Sequence, residues 1–98
     1  MTKHTMTLRH ILVQHEYEAR DLERKLDGAK DLAVEFAALA SKHSSCASRT
    51  QGGSLGNLTG QMHRLDEAFR EAAEKLKPGQ RSGPVRTRFG YHLIFREA

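Results

Sequence analysis

The sequence predicts an α+β fold, a four-stranded antiparallel sheet surrounded by helices in the order β-α-α-β-α-β-β. Three observations carry this. Residues 6–14 alternate with a period of two, three later stretches repeat apolar residues at helical spacing, and the chain closes on a hairpin around Gly90.

In the first strand Met6, Leu8, His10 and Leu12 share one face, while Ile11 and Val13 lie on the other with Thr7 and Arg9. Apolar residues on both faces predict a central strand covered on both sides. His10 therefore falls on an apolar face. From Glu16 onward Ala19, Leu22 and Leu26 form a helical stripe that Gly28 is suited to end. A second helix, Asp31 to His43, aligns Leu32, Phe36, Leu39 and Ala40. Residues 44–53 are small, polar and glycine-rich, and read as a loop. Ser54 to Leu58 suit a short strand, and Thr59 to Met62 a turn. Leu65, Ala68, Phe69, Ala72, Ala73 and Leu76 give the cleanest helical stripe, closed by Lys77-Pro78-Gly79. In the final hairpin Gly83 to Thr87 run out, Arg88 to Gly90 turn, and Tyr91 to Phe95 return. His92 shares a face with Ile94, opposite Tyr91, Leu93 and Phe95.

With 98 residues the chain is read as one domain spanning 1–98. A domain of that size buries roughly 60–65% of its unfolded surface, enough for a modest core. No apolar run approaches the ~18 residues of a membrane span, and no secretory pattern opens the chain. A single cysteine excludes an internal disulfide. Cytoplasmic residence and a monomeric state are the default expectations. The net charge of +4 arises from 16 basic residues scattered among 12 acidic ones, which reads as a solvated basic surface. Nucleic-acid contact is the lesser alternative. It would rest on the one local excess, Arg81, Arg86, Arg88 and Arg96, with no zinc-finger spacing or ribonucleoprotein signature beside it.

If the first and last strands are neighbours, His10 and His92 meet on one face and can share a proton, each fixing the other's tautomer. Singly, each is more readily a satisfied core histidine. Cys46 sits in the polar loop, where a small buried hydrophobe and a reactive, site-lining thiol are about equally good readings. A cysteine hydrolase finds no orienting Asn or Asp and no oxyanion-hole signature. His10 and His15 are five apart, and no His-x-x-x-His or Cys-x-x-Cys occurs, so no metal and no cofactor is expected.

Several fragments, in this order and at near-standard spacing, resemble the parvulin family of peptidyl-prolyl cis/trans isomerases. They are His10-Ile11-Leu12-Val13, Lys42-His43-Ser44-Ser45-Cys46, Gly52-Gly53-Ser54-Leu55-Gly56, Ala68-Phe69, Leu76-Lys77-Pro78-Gly79, and Ser82 to His92. The resemblance implies a parvulin-like fold and catalysed rotation about Xaa-Pro bonds in proline-containing polypeptides, without covalent chemistry. The alternative is a proline-directed binding or chaperone module with little turnover. By the same resemblance His10 and His92 match a catalytic histidine pair, Cys46 a position held by Cys or Asp, and Thr87 a hydroxyl that orients the histidines. Leu55, Phe69 and Phe89 match the walls of a proline pocket.

Two departures stand out. The family usually places a Gln-Met pair four or five residues before the pocket Phe. Here Gln61-Met62 precedes Phe69 by seven or eight, so residues 59–64 hold about two extra positions. Counting back from Phe69 selects Leu65 as the pocket residue, whereas counting forward from Leu58 selects Met62. Met62 is preferred because methionine adapts to irregular gaps. Second, Gln14-His15-Glu16-Tyr17-Glu18 follows the first strand where phosphate-selective members carry a basic loop. A neutral or apolar residue before proline is therefore expected.

Overall fold

A computed structural model describes residues 6–98. The expected order is present: β1 (Thr7–Val13), α1 (Glu16–Asp27), α2 (Leu32–His43), β2 (Ser54–Asn57), α3 (Glu67–Glu74), β3 (Val85–Thr87) and β4 (Gly90–Arg96). Two short 3₁₀ turns, Ala47–Gln51 and Met62–Arg64, interrupt stretches that the sequence marks only as loop and turn. The strands form one sheet in the order β2-β1-β4-β3, antiparallel at every pairing.

The central position of β1 follows from its two apolar faces. On one face Ile11 and Val13, with Leu93 and Phe95 of β4, pack beneath Ala19, Leu22 and Leu26 of α1 and Phe36 and Leu39 of α2. Phe36 and Phe95 meet with ring centroids 5.6 Å apart. On the other face Leu8 and Ile94 meet Phe69 and Ala73 of α3. Each such side chain contributes about 1.5–3 kcal/mol when fully buried, so neither face of the sheet can be left bare. Arg81 ties the outer helix to the sheet: it pairs with Glu23 at 3.1 Å and with Asp27 of α1, while its backbone bridges Phe95. None of the described helices is long and apolar enough to cross a membrane.

α3 is shorter than its apolar stripe. The Asp66 carboxylate accepts a hydrogen bond from the Ala68 amide (3.0 Å) and starts the helix there. Leu65 and Leu76 therefore pack against the core from just outside the helix. Gly53 secures the loop before β2. Its φ is +81°, and a Cβ there would lie 2.4 Å from the His10 carbonyl oxygen. Only glycine lets this backbone come so close, and its carbonyl accepts from the His10 amide at 3.0 Å. Gly90, at φ +137°, brings the β3–β4 hairpin equally close to Val13.

Candidate active site

The β1–β4 register pairs His10 with Ile94 and Leu12 with His92. The two histidines are thus diagonal neighbours on one face, the offset at which larger side chains touch across strands. Both are 5% exposed. Their rings stack with centroids 5.3 Å apart at 18°, and Nδ1 faces Nδ1 at 3.1 Å. A contact between two such nitrogens requires one proton between them, so one ring donates and the other accepts.

The outer ring is anchored in turn. His92 Nε2 lies 2.7 Å from Thr87 Oγ1, which also accepts the Phe89 amide at 3.1 Å. Thr87 ends the edge strand β3, where the hairpin register places it opposite Gly90, two residues before His92 in β4. Among the described residues His10 Nε2 is buried without a hydrogen-bond partner. Burial, with the neighbouring His92 adding to it, lowers the His10 pKa from 6.5 to about 4. Burial also lowers His92, partly opposed by the Asp66 carboxylate. The pair is neutral near pH 7.

Phe69 packs edge-on against both imidazoles, at 5.5 Å and 79° to His10 and 5.1 Å and 86° to His92. In front of this group opens a cavity of about 320 Å³. Leu12, Cys46, Leu55 and Leu65 line it, together with Phe89, which is 53% exposed and so borders its mouth. Arg64 and Asp66 border it as well. Among the described residues Cys46 makes no side-chain hydrogen bond, and neither histidine bonds its sulfur.

The structure brings His10, Cys46, Thr87, His92, Leu55, Leu65, Phe69 and Phe89 to this one place. Met62 does not join them. It lines a separate hollow with Met6 and Thr59 and packs into the core beside Leu8 and Phe69. The physical cause is the 3₁₀ turn that absorbs the extra residues of 59–64. The Leu65 amide bonds the Met62 carbonyl at 3.1 Å, turning Met62 inward. Leu65 is left extended, at φ −82° and ψ 153°, directly before the α3 cap and against the cavity. Of the two candidates, Leu65 and not Met62 therefore lines the cavity, against the expected preference for Met62.

Ser44 has a role that a polar loop conceals. It is buried, and its Oγ accepts from the Leu12 amide at 3.0 Å and the Cys46 amide at 3.2 Å, while Ser45 donates to the Leu12 carbonyl at 2.7 Å. These bonds hold Cys46 against β1. Ser44→Ala is expected to cost about 1–2 kcal/mol, the penalty for two partly buried amides left without an acceptor, measured by urea unfolding. A loss well below that range would show that the loop is held by its backbone alone.

Sheet order, paired buried histidines and an apolar slot point to the class that the fragments suggested, a rotamase domain. The Rotamase family profile, described as a PPIC-type PPIASE domain, matches residues 10–98. The chain belongs to this family of peptidyl-prolyl isomerases. It is 42% identical over 90 residues to a foldase protein PrsA of Clostridium botulinum, a match covering 92% of this chain and 26% of that protein. It also superposes on the crystal structure of the peptidylprolyl isomerase PrsA from Bacillus anthracis (TM-score 0.84, 37% identity), covering 96% of this chain and 41% of that one. The solution structure of NmPin, the parvuline of Nitrosopumilus maritimus, is similar over its whole length (TM-score 0.79, 34% identity, covering 100% and 99% of the two chains). The chain spans about a quarter of the length of the curated relatives it matches.

Proposed function

We propose that this isomerase domain rotates Xaa-Pro bonds in polypeptide clients whose Xaa is not phosphorylated, and that it does so without a covalent step. The observation that carries the reading is the apolar slot closed at its base by an uncharged histidine pair.

Rotation of a prolyl bond breaks no covalent bond; its barrier of ~18–20 kcal/mol is loss of amide resonance. The planar amide is the more charge-separated state, with negative charge on oxygen and positive charge on nitrogen. Water and nearby cations favour that planar form. A mostly apolar slot with neutral imidazoles, whose one bordering cation Arg64 is accompanied by the Asp66 carboxylate, offers less of this stabilisation than water does, so it suits the twisted geometry better than solvent. Leu65, Phe69 and Phe89 grip the ring. If His10 Nδ1–H donates to His92 and His92 Nε2–H to Thr87, only a bare acceptor is left unpaired at His10 Nε2, less costly than an orphaned N–H. The Thr87 hydroxyl proton is then available to the substrate. Among the described residues Cys46 has no hydrogen-bonded base to generate a thiolate, which supports a role in shaping the site's polarity over one as nucleophile.

NMR exchange spectroscopy tests both parts. Catalysed cis/trans exchange is expected on Ala-Pro and Ser-Pro peptides and no faster on phosphoserine-Pro. Cys46→Asp and Cys46→Ser are expected to keep turnover within about tenfold, roughly 1.4 kcal/mol in barrier. Faster exchange on the phosphorylated peptide would overturn the substrate preference. Abolished turnover in both folded Cys46 variants would overturn the non-covalent step. Line broadening by peptide without exchange would leave a binding module.

A further inference from the structure

The four arginines concentrated near the C-terminus have different fates in the fold. Arg81 is 16% exposed at its side chain and spent on Glu23 and Asp27. Arg96 bonds the Leu76 carbonyl at 2.7 Å and the Ala98 carbonyl at 3.1 Å. Arg86 and Arg88 are exposed, and among the described residues neither has a carboxylate or hydrogen-bond partner. Arg88 lies over the ring of Phe89, 4.9 Å from its centroid.

Their position gives this residual charge a use. A polar hollow of about 380 Å³ opens where the sheet ends, between the β3–β4 hairpin and the start of α1. Arg86, Arg88, Gln14 and His15 line it, and Phe89 belongs both to this hollow and to the mouth of the proline slot. Glu16 also lines it, but that carboxylate is held by Arg20 at 3.1 Å. The hollow is therefore lined by two cations without an acidic partner among the described residues and by one carboxylate already engaged elsewhere. Two guanidiniums lining one hollow, outnumbering its single carboxylate, leave a net positive potential there that an anion relieves.

We infer that the hollow bordered by Arg86 and Arg88 is a subsite for a carboxylate side chain of the same peptide whose proline occupies the slot. This deepens the isomerase reading and rests on it. The slot itself is apolar and discriminates little among neighbouring residues, so selectivity must arise outside it. An extended peptide rises about 3.3 Å per residue, and the hairpin turn is the common wall of slot and hollow. An Asp or Glu two or three residues from the proline reaches Arg88 first and Arg86 behind it. A lone pair of cations matches one side chain better than it matches a nucleic-acid backbone, which needs a longer run of them.

The test compares Ala-Pro peptides that differ only by Glu or Gln two or three residues before the proline, and a second series with that residue after it. At low ionic strength kcat/KM is expected to favour Glu by about two- to fivefold in one series, as exposed guanidinium–carboxylate pairs allow. The preference is expected to vanish near 0.5 M salt, where the screening length is only ~4 Å. The R86Q/R88Q double variant is expected to lose the preference, and R86K/R88K to keep most of it. Equal rates for Glu and Gln in both series, or a preference surviving in R86Q/R88Q, would overturn the subsite. If neither peptide is turned over, the isomerase reading fails separately, and titration of the same peptides against amide shifts decides the subsite: equal Kd values overturn it. Retention on duplex DNA that R86Q/R88Q abolishes, without a Glu preference, would assign the cations elsewhere and overturn it too.

Discussion

Phe69→Ala is expected to destabilise the domain by about 3–5 kcal/mol, the usual cost of emptying a buried phenylalanine site. Phe69 is 4% exposed and fills the space between Leu8, Ile94 and Ala73 on one side and both histidine rings on the other. Its loss opens a void that the rigid β1–β4 pair cannot close. A domain of this size holds roughly 5–15 kcal/mol in all, so the variant stands near the edge of folding. Urea unfolding measures the cost. Phe69→Leu separates packing from site chemistry: it refills most of the void, with an expected cost of about 1–2 kcal/mol. It nevertheless removes the flat edge against the imidazoles and a wall of the slot. Turnover in Phe69→Leu is expected to fall even though the variant is folded. Full turnover there, or a cost below about 1 kcal/mol for the alanine, would show that Phe69 does not join core and site.

Why some of this was legible from residues and some was not follows from periodicity. β1 was readable because two apolar faces demand two coverings, and the same alternation put His10 beside Leu8 and Leu12. Period two in β4 did the same for His92, so the pair followed once β1 and β4 were neighbours. Residues 59–66 were not readable by counting, because a single 3₁₀ turn has no repeat and displaces everything after it. A cap signal was nonetheless present. Asp66 before Glu67 and Phe69 is a good helix start, and marking it would have put Leu65 in extended backbone at the slot and left Met62 for the core. Ser44 was invisible for another reason. A serine in a polar loop gives no sign of burial, and only the contact with β1 shows that its hydroxyl serves two amides.

Stability is expected to fall by about 2 kcal/mol between pH 7 and pH 5 on account of His10 alone. The folded pKa of His10 is lowered from 6.5 to about 4 by burial, with the charge of His92 adding to it. Between those values the unfolded chain binds a proton that the folded one refuses. Stability is therefore fully present above pH 6.5 and is lost as the pH falls towards 4. His92, also lowered by burial, acts in the same direction. Most Asp and Glu side chains remain ionised at pH 5, which keeps the window largely clear of them. His10→Gln removes the titrating group, and its stability is expected to change much less over this range, whatever its absolute value. Urea midpoints at pH 7, 6 and 5 for both proteins give the comparison. Parallel curves would mean that His10 is protonated equally in both states. The same titration bears on turnover: protonating either ring places a cation beside the slot and disrupts the single shared proton between the Nδ1 atoms. Exchange rates are accordingly expected to decline on the acidic side before the domain unfolds. A rate that rises on acidification in the folded protein would contradict the need for an uncharged pair.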